Sequence, residues 1–178
     1  DSTLDACRRA DATLFGAMGL PHVRGADGTE IIPQLDIRFA LDLYAGVRPV
    51  RTWPGLPVPL ADPRATQIDL VLVRENTEGL FYARGRGVVE ADSAMDTMKI
   101  TRKGTSRVVD FAFKLAQQRK AQGRPGHVTN VDKANVFASM AYWRSIFHER
   151  AAAFPEIAHS DAYVDAMALN LVLKPWQY

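Results

Sequence analysis

Only one cysteine, Cys7, occurs in 178 residues, so no disulfide can close within the chain and thiol-rich metal cages are excluded. A lone thiol fits a reducing compartment, and a cytoplasmic location is the expectation. Long hydrophobic runs are also missing. Nothing approaches the roughly 20 apolar residues that cross a bilayer, and the opening DSTLDACRRADA lacks the order of a signal peptide. No membrane partner is expected. Charge of one sign is scarce: 22 basic against 20 acidic residues leave a net +2, too little to argue for nucleic acid.

Histidines are few, and His22, His127, His148 and His159 show no ligand spacing, which argues against zinc. Ser106 and Ser139 fall in helical patterns with no accompanying base, which argues against a serine hydrolase. Gly85 and Gly87 lack the strand-then-helix context of a dinucleotide fingerprint.

What is present is an ordinary globular composition, 47% hydrophobic and 24% charged, long enough for one domain or one domain plus part of another. The chain opens in polar sequence and stops at KPWQY directly after a helical pattern, so a piece of something longer is expected. Short apolar runs at 12–17, 47–53, 68–73, 80–83, 95–101, 127–131 and 157–164 predict strands. The spacing predicts helices over 31–45, with Pro33 in the first turn, and over 107–122, 134–150 and 165–173. In the second of these, Val108, Phe111, Ala112 and Leu115 share a face and Gly123 stands at C′. The alternation argues an α/β fold.

Arg38 sits mid-helix, Arg48 begins a strand, and Arg74 ends the most apolar strand in the chain, LVLVRENTEG. Guanidinium groups at strand ends can grip carboxylates bidentately, and open α/β sheets bind ligands beyond the carboxyl ends of their strands. Equally, each arginine could pair with a neighbouring acid, Asp36, Asp42 or Glu75. In VDKANV, Lys133 lies between a strand and a helix, where a lysine can take part in proton transfer, while Asp132 reads as a helix N-cap. Asp165 in YVDAMA is either a cap or a hard oxygen ligand for a divalent metal.

Taken in order, DATLFGAMGLP, LDIRFALDLYAGVRPV, DLVLVRENTEG, VDKANV and YVDAMALNLV resemble the β-decarboxylating dehydrogenases, which act on isopropylmalate, isocitrate, tartrate or D-malate. The resemblance runs the length of the chain and implies an isopropylmalate/isocitrate dehydrogenase-like fold, with mixed sheets and flanking helices. Residues 1–43 would be a remnant of the large cofactor domain and residues 44–178 the smaller dimerising domain. Residues 84–101 would be either an arm that clasps a partner subunit or an ordinary surface loop.

The resemblance further implies that Arg38, Arg48 and Arg74 hold the carboxylates of a malate-like substrate. Lys133 would be catalytic and would reach into the neighbouring subunit's site. Asn135 would lie near substrate and nicotinamide, and Asp165 would contact Mg²⁺ or Mn²⁺. The implied activity is NAD- or NADP-linked oxidation and β-decarboxylation of a 2-hydroxy acid by a homodimer with shared active sites.

Three departures from the family pattern stand out. The family's proton-donating tyrosine lies seven residues after the strand-end arginine, where this chain has Phe81, with Tyr82 one step on. Tyr82 is therefore the candidate replacement acid. The alternative is a non-catalytic, ligand-binding or regulatory relative. Ile32 stands where isocitrate enzymes tend to carry a serine, and an apolar side chain there cannot meet a third carboxylate, which favours tartrate, D-malate or isopropylmalate. The remaining metal aspartates and the adenine-binding loop of the family would lie beyond Tyr178, and its glycine-rich turn before Asp1.

Overall fold

In the computed structural model, which describes residues 2–178, the longest helix is the one that the 107–122 pattern announces. It begins earlier, as α3 (Arg102–Ala121), because Thr101 adopts an extended conformation and accepts the Gly104 N–H on its hydroxyl. Its inner face carries Thr105, Val109, Phe113 and Ala116, spaced for one stripe of a 3.6-residue period. Phe111, Ala112 and Leu115, expected on that face, are only half-buried.

The chain divides into two units, one ending at Tyr44 and the other Ala45–Tyr178. The first holds α1 (Ser2–Arg9) and α2 (Pro33–Ala40), neither of which buries a residue. The expected strand at 12–17 does not form. Residues 11–20 are exposed and irregular, with Leu14 and Leu20 open to solvent. A strand exists by pairing its backbone, and among the described residues of this unit no strand pairs with the run. The expected helix over 31–45 is cut to Pro33–Ala40, since Leu41 caps it and Asp42 takes φ 49°.

The second unit contains three two-stranded sheets. β1 (Ala45–Arg51) pairs antiparallel with β2 (Asp69–Glu75). β3 (Val88–Val89) pairs with β4 (Ala94–Met95) as a short exposed hairpin. β5 (His127–Asp132) and β6 (Ala158–Tyr163) run parallel. Between β5 and β6 lies α4 (Ala138–Ala151), and α5 (Val164–Leu173) leaves β6 with no intervening loop.

Two expected strands are corrected. Residues 80–83 form a 3₁₀ turn, and the run 95–101 contributes only Ala94–Met95 to a ladder before Thr101 caps α3. α4 begins four residues later than predicted, because the Lys133 carbonyl accepts the N–H groups of both Val136 and Phe137 and closes a turn first.

The core lies where α3 meets α4. Phe113, fully buried, stacks on Phe154 at 5.0 Å and tilts against Phe147 at 5.5 Å, with Ile146 also fully buried. A smaller cluster of Ala65, Ile68 and Leu70 is covered by Val58, Leu60, Leu171, Trp176 and Tyr178.

One contact ties the RENTEG turn to α3. The Glu78 carboxylate accepts the Thr101 N–H at 2.9 Å and its hydroxyl at 2.5 Å. Glu78 thereby does from 23 residues away what a glutamate at the third helical position does in a capping box. That position is Gly104, and a Cβ there would collide with the Glu78 carboxylate. Helix propensity alone predicts that alanine stabilises such a site by about 1 kcal/mol. Here the expected outcome has the opposite sign: Gly104→Ala displaces the cap and destabilises the protein by about 1–2 kcal/mol in urea unfolding.

Candidate active site

The ladder β1–β2 sets the arginines. Gly46 lies opposite Arg74 and Arg48 opposite Leu72, so by the two-residue alternation of strands Arg48 and Arg74 project from the same face as diagonal neighbours. Both are exposed. Among the described residues no acid pairs with Arg48. Nor is Glu75 the partner of Arg74. Its carboxylate accepts the N–H groups of Thr77 and Glu78 and the Thr77 hydroxyl, and lies 3.9 Å from Arg107. Arg74 instead donates its Nε–H to the Asn76 side-chain oxygen at 2.8 Å, and its guanidinium lies 5.6 Å from the Phe81 ring. Arg38 belongs to the first unit, on α2, and is half-buried.

The 3₁₀ turn Leu80–Ala83 turns successive side chains apart. It gives Phe81 to Arg74, while the Tyr82 ring lies beneath Arg86 at 4.3 Å and Lys99 at 4.7 Å.

A second group forms at the carboxyl ends of the parallel strands. Lys133 follows β5 and Asp165 stands in the first turn of α5, which follows β6 directly, and Nζ and Oδ1 meet at 2.5 Å. Tyr163 and not Asp165 holds the N-cap position of α5. The Lys133 hydrogen bond, aided by the Asp165 N–H, holds the Asp165 carboxyl below its ordinary value. Asn135 is exposed in the turn between β5 and α4.

Asp132, expected as a helix cap, is instead the buried anchor beneath this turn. The α4 N-cap position is Phe137. Asp132 accepts two hydrogen bonds from Arg144, at 2.9 and 2.7 Å, one from the Ala134 N–H and one from Asn130. Asn130 donates also to Asp161 and accepts from the Trp143 indole at 2.6 Å, while His148 closes the network on Asp161. Sequence reasoning missed these partners, because Arg144 lies 12 residues from Asp132 and Asp161 lies 31 from Asn130.

Burial pushes the Asp132 carboxyl up, but the Arg144 bonds, with Ala134 and Asn130, outweigh it and hold it below the ordinary value. A depressed folded value stabilises the protein above the unfolded carboxyl pKa of about 4, and that stability is lost as pH falls through the folded value. Asp132→Asn is therefore expected to cost about 2 kcal/mol at pH 7, less than a fully buried pair because Arg144 is a quarter exposed. The variant's unfolding free energy is expected to fall less steeply below pH 4 than the wild type's.

The fit of this group to a divalent metal is partial. Asp165 is the hard oxygen donor that Mg²⁺ or Mn²⁺ prefers, yet its Oδ1 is engaged by an ammonium group. Among the described residues no three His, Cys, Asp or Glu side chains lie together to hold an ion. The residues present do not make a metal centre by themselves. Nor, among the described residues, is any helix long and apolar enough to cross a membrane.

Comparison with known proteins shows what this chain is similar to. The 3-isopropylmalate dehydrogenase of Staphylococcus aureus is 36% identical over 180 residues, covering 100% of this chain and 50% of the relative. That of Staphylococcus saprophyticus is 35% identical over the same coverage. Isocitrate dehydrogenase from Methylococcus capsulatus aligns in structure with a TM-score of 0.76 at 30% identity, covering 100% of this chain and 50% of its own. The chain thus spans about half the length of the curated relatives it matches. Since the family pattern is matched across residues 1–178, this chain belongs to the isocitrate/isopropylmalate dehydrogenase family.

Proposed function

We propose that this chain works as part of an NAD(P)-linked dehydrogenase that oxidises a malate-core 2-hydroxy acid and removes the carboxyl group β to the new ketone. The observation that carries the reading is the Lys133–Asp165 pair at the carboxyl ends of two parallel strands, where open α/β sheets take their ligands. Lys133 exchanges the proton of the substrate hydroxyl, and Asp165 steadies the ammonium form between transfers. Arg48 and Arg74, with Arg38, grip the carboxylates. Asn135 would line the approach of the nicotinamide, which when bound would supply the hydride acceptor. Asp165 is one donor to Mg²⁺ or Mn²⁺, in a set that this chain does not complete.

The substrate class is tartrate, D-malate or 3-isopropylmalate, with isocitrate disfavoured by Ile32. Names of the Staphylococcus relatives support isopropylmalate. The working form is a homodimer with shared active sites, residues 84–101 acting as the clasping arm. Support comes from α5, which leaves Val164, Leu169, Val172 and Leu173 half or more exposed, an apolar stripe of the kind that subunits cover. Tyr82 remains the candidate acid.

Phe81 beside Arg74 favours a second reading, in which the chain binds the acid without turning it over. The full-length protein with Mn²⁺ and either NAD⁺ or NADP⁺ is expected to produce reduced nicotinamide, read at its absorbance, from one of D-malate, tartrate or 3-isopropylmalate. EDTA is expected to stop it. No reduction from any of these or from isocitrate overturns the dehydrogenase reading, and binding of an acid without reduction establishes the second.

A further inference from the structure

We propose that Asn76 is a positioning residue that sets the guanidinium plane of Arg74, and that Gly46 is glycine in order to admit it. The inference rests on the functional reading above for its kinetic consequence, but not for its geometry. A long arginine side chain on an exposed strand end has several rotatable bonds, and ordering them costs entropy each time a ligand binds. Here two contacts order it beforehand. The Nε–H is donated to the Asn76 oxygen at 2.8 Å, and the guanidinium carbon lies over the Phe81 ring, 5.6 Å from its centroid.

Asn76 is itself buried, only 7% exposed. It is held by the cross-strand position of Gly46, where a Cβ would stand 2.6 Å from its side-chain nitrogen and 2.9 Å from its oxygen. Gly46 is also the residue directly opposite Arg74 in the ladder. The strand partner of the arginine is thus the residue whose missing side chain makes room for the arginine's orienting amide. With Nε committed, the guanidinium plane is fixed before a carboxylate arrives.

The test uses Asn76→Leu, which keeps the branched outline of the side chain and removes the acceptor, and Gly46→Ala, whose Cβ displaces the amide. Two readouts are taken on the full-length protein. The first is the ¹H–¹⁵N signal of the Arg74 Nε–H, assigned with Arg74→Lys. It is expected to exchange slowly with solvent in the wild type and fast in both variants. The second is turnover of whichever acid the wild type oxidises. The KM for that acid is expected to rise about tenfold or more, the worth of a hydrogen bond to a charged group, with kcat and the KM for NAD(P) changed far less. Placed in an Arg74→Met background, Asn76→Leu is expected to weaken acid binding no further.

An Nε–H signal unchanged in both variants overturns the proposal, as does a further loss of binding in the Arg74→Met background, which marks a general structural role. If the wild type turns over no acid while the signal behaves as expected, the dehydrogenase reading fails and the positioning role stands.

Discussion

Replacing Lys133 with methionine is expected to lower kcat by about 10²- to 10⁴-fold, the usual worth of a positioned proton-transfer group, while the melting temperature stays close to that of the wild type. Both halves follow from where the lysine sits. Nζ reaches past the end of β5 to a carboxylate on the next parallel unit, and the Asp165 side chain is 66% exposed. An ion pair so open to water adds little to folding.

The rigidity of the position comes from elsewhere. Asp132, one residue back, is locked by Arg144, Asn130 and the Ala134 N–H, and the Lys133 carbonyl closes the following turn. Methionine fills the same space and leaves all of these bonds in place. Single-turnover kinetics with saturating acid separates the two effects. A fall in the chemical step with an unchanged melting curve is the expected result. A collapse of the melting curve would make the lysine structural, and an unchanged chemical step would end its catalytic assignment.

How much of this was legible in the sequence depends on how local each feature is. The Lys133 turn and the start of α5 were legible because each lies beside an apolar run whose period changes there, from β5 to α4 and from β6 to α5. The position of Arg74 was legible for the same reason. The roles of its neighbours were not. Glu75, Asn76 and Glu78 are three polar residues in one turn, yet the first caps that turn, the second holds the arginine and the third caps a helix beginning at Arg102. Only the glycines opposite them, Gly46 and Gly104, carry a trace of this in the sequence. A glycine inside a strand or a helix is a cost that some close approach must justify.

The expected strand at 12–17 failed for the complementary reason. Its apolar residues record a burial that nothing in the first unit provides, and they stand exposed. The shift from strand to 3₁₀ turn at Leu80–Ala83 mattered most for the site. It decides that Phe81 and not Tyr82 meets Arg74.

Arg74→Met is expected to weaken binding of the dicarboxylic acid by about 2–5 kcal/mol, the range for removing one member of a desolvated charge pair. The loss is expected in the acid's dissociation constant and not in that of the cofactor. Three features argue for a ligand-directed arginine. It sits at the open end of the most apolar strand in the unit, on the same face as Arg48. The carboxylate next in sequence, Glu75, is occupied by the backbone of its own turn. Its Nε–H is held by a neutral acceptor, the Asn76 side-chain oxygen.

A structural arginine would give the reverse pattern, with acid affinity unchanged and the melting temperature lowered. Some loss of stability is expected even so, about 1 kcal/mol, because Asn76 is buried and loses a hydrogen bond. The two effects separate on titration with a monocarboxylic hydroxy acid. If Arg74 grips the second carboxylate, wild type and variant bind that shorter ligand with nearly the same affinity, and the difference returns only when both carboxylates are present. Equal losses for both ligands would mean that methionine had disturbed the strand end as a whole.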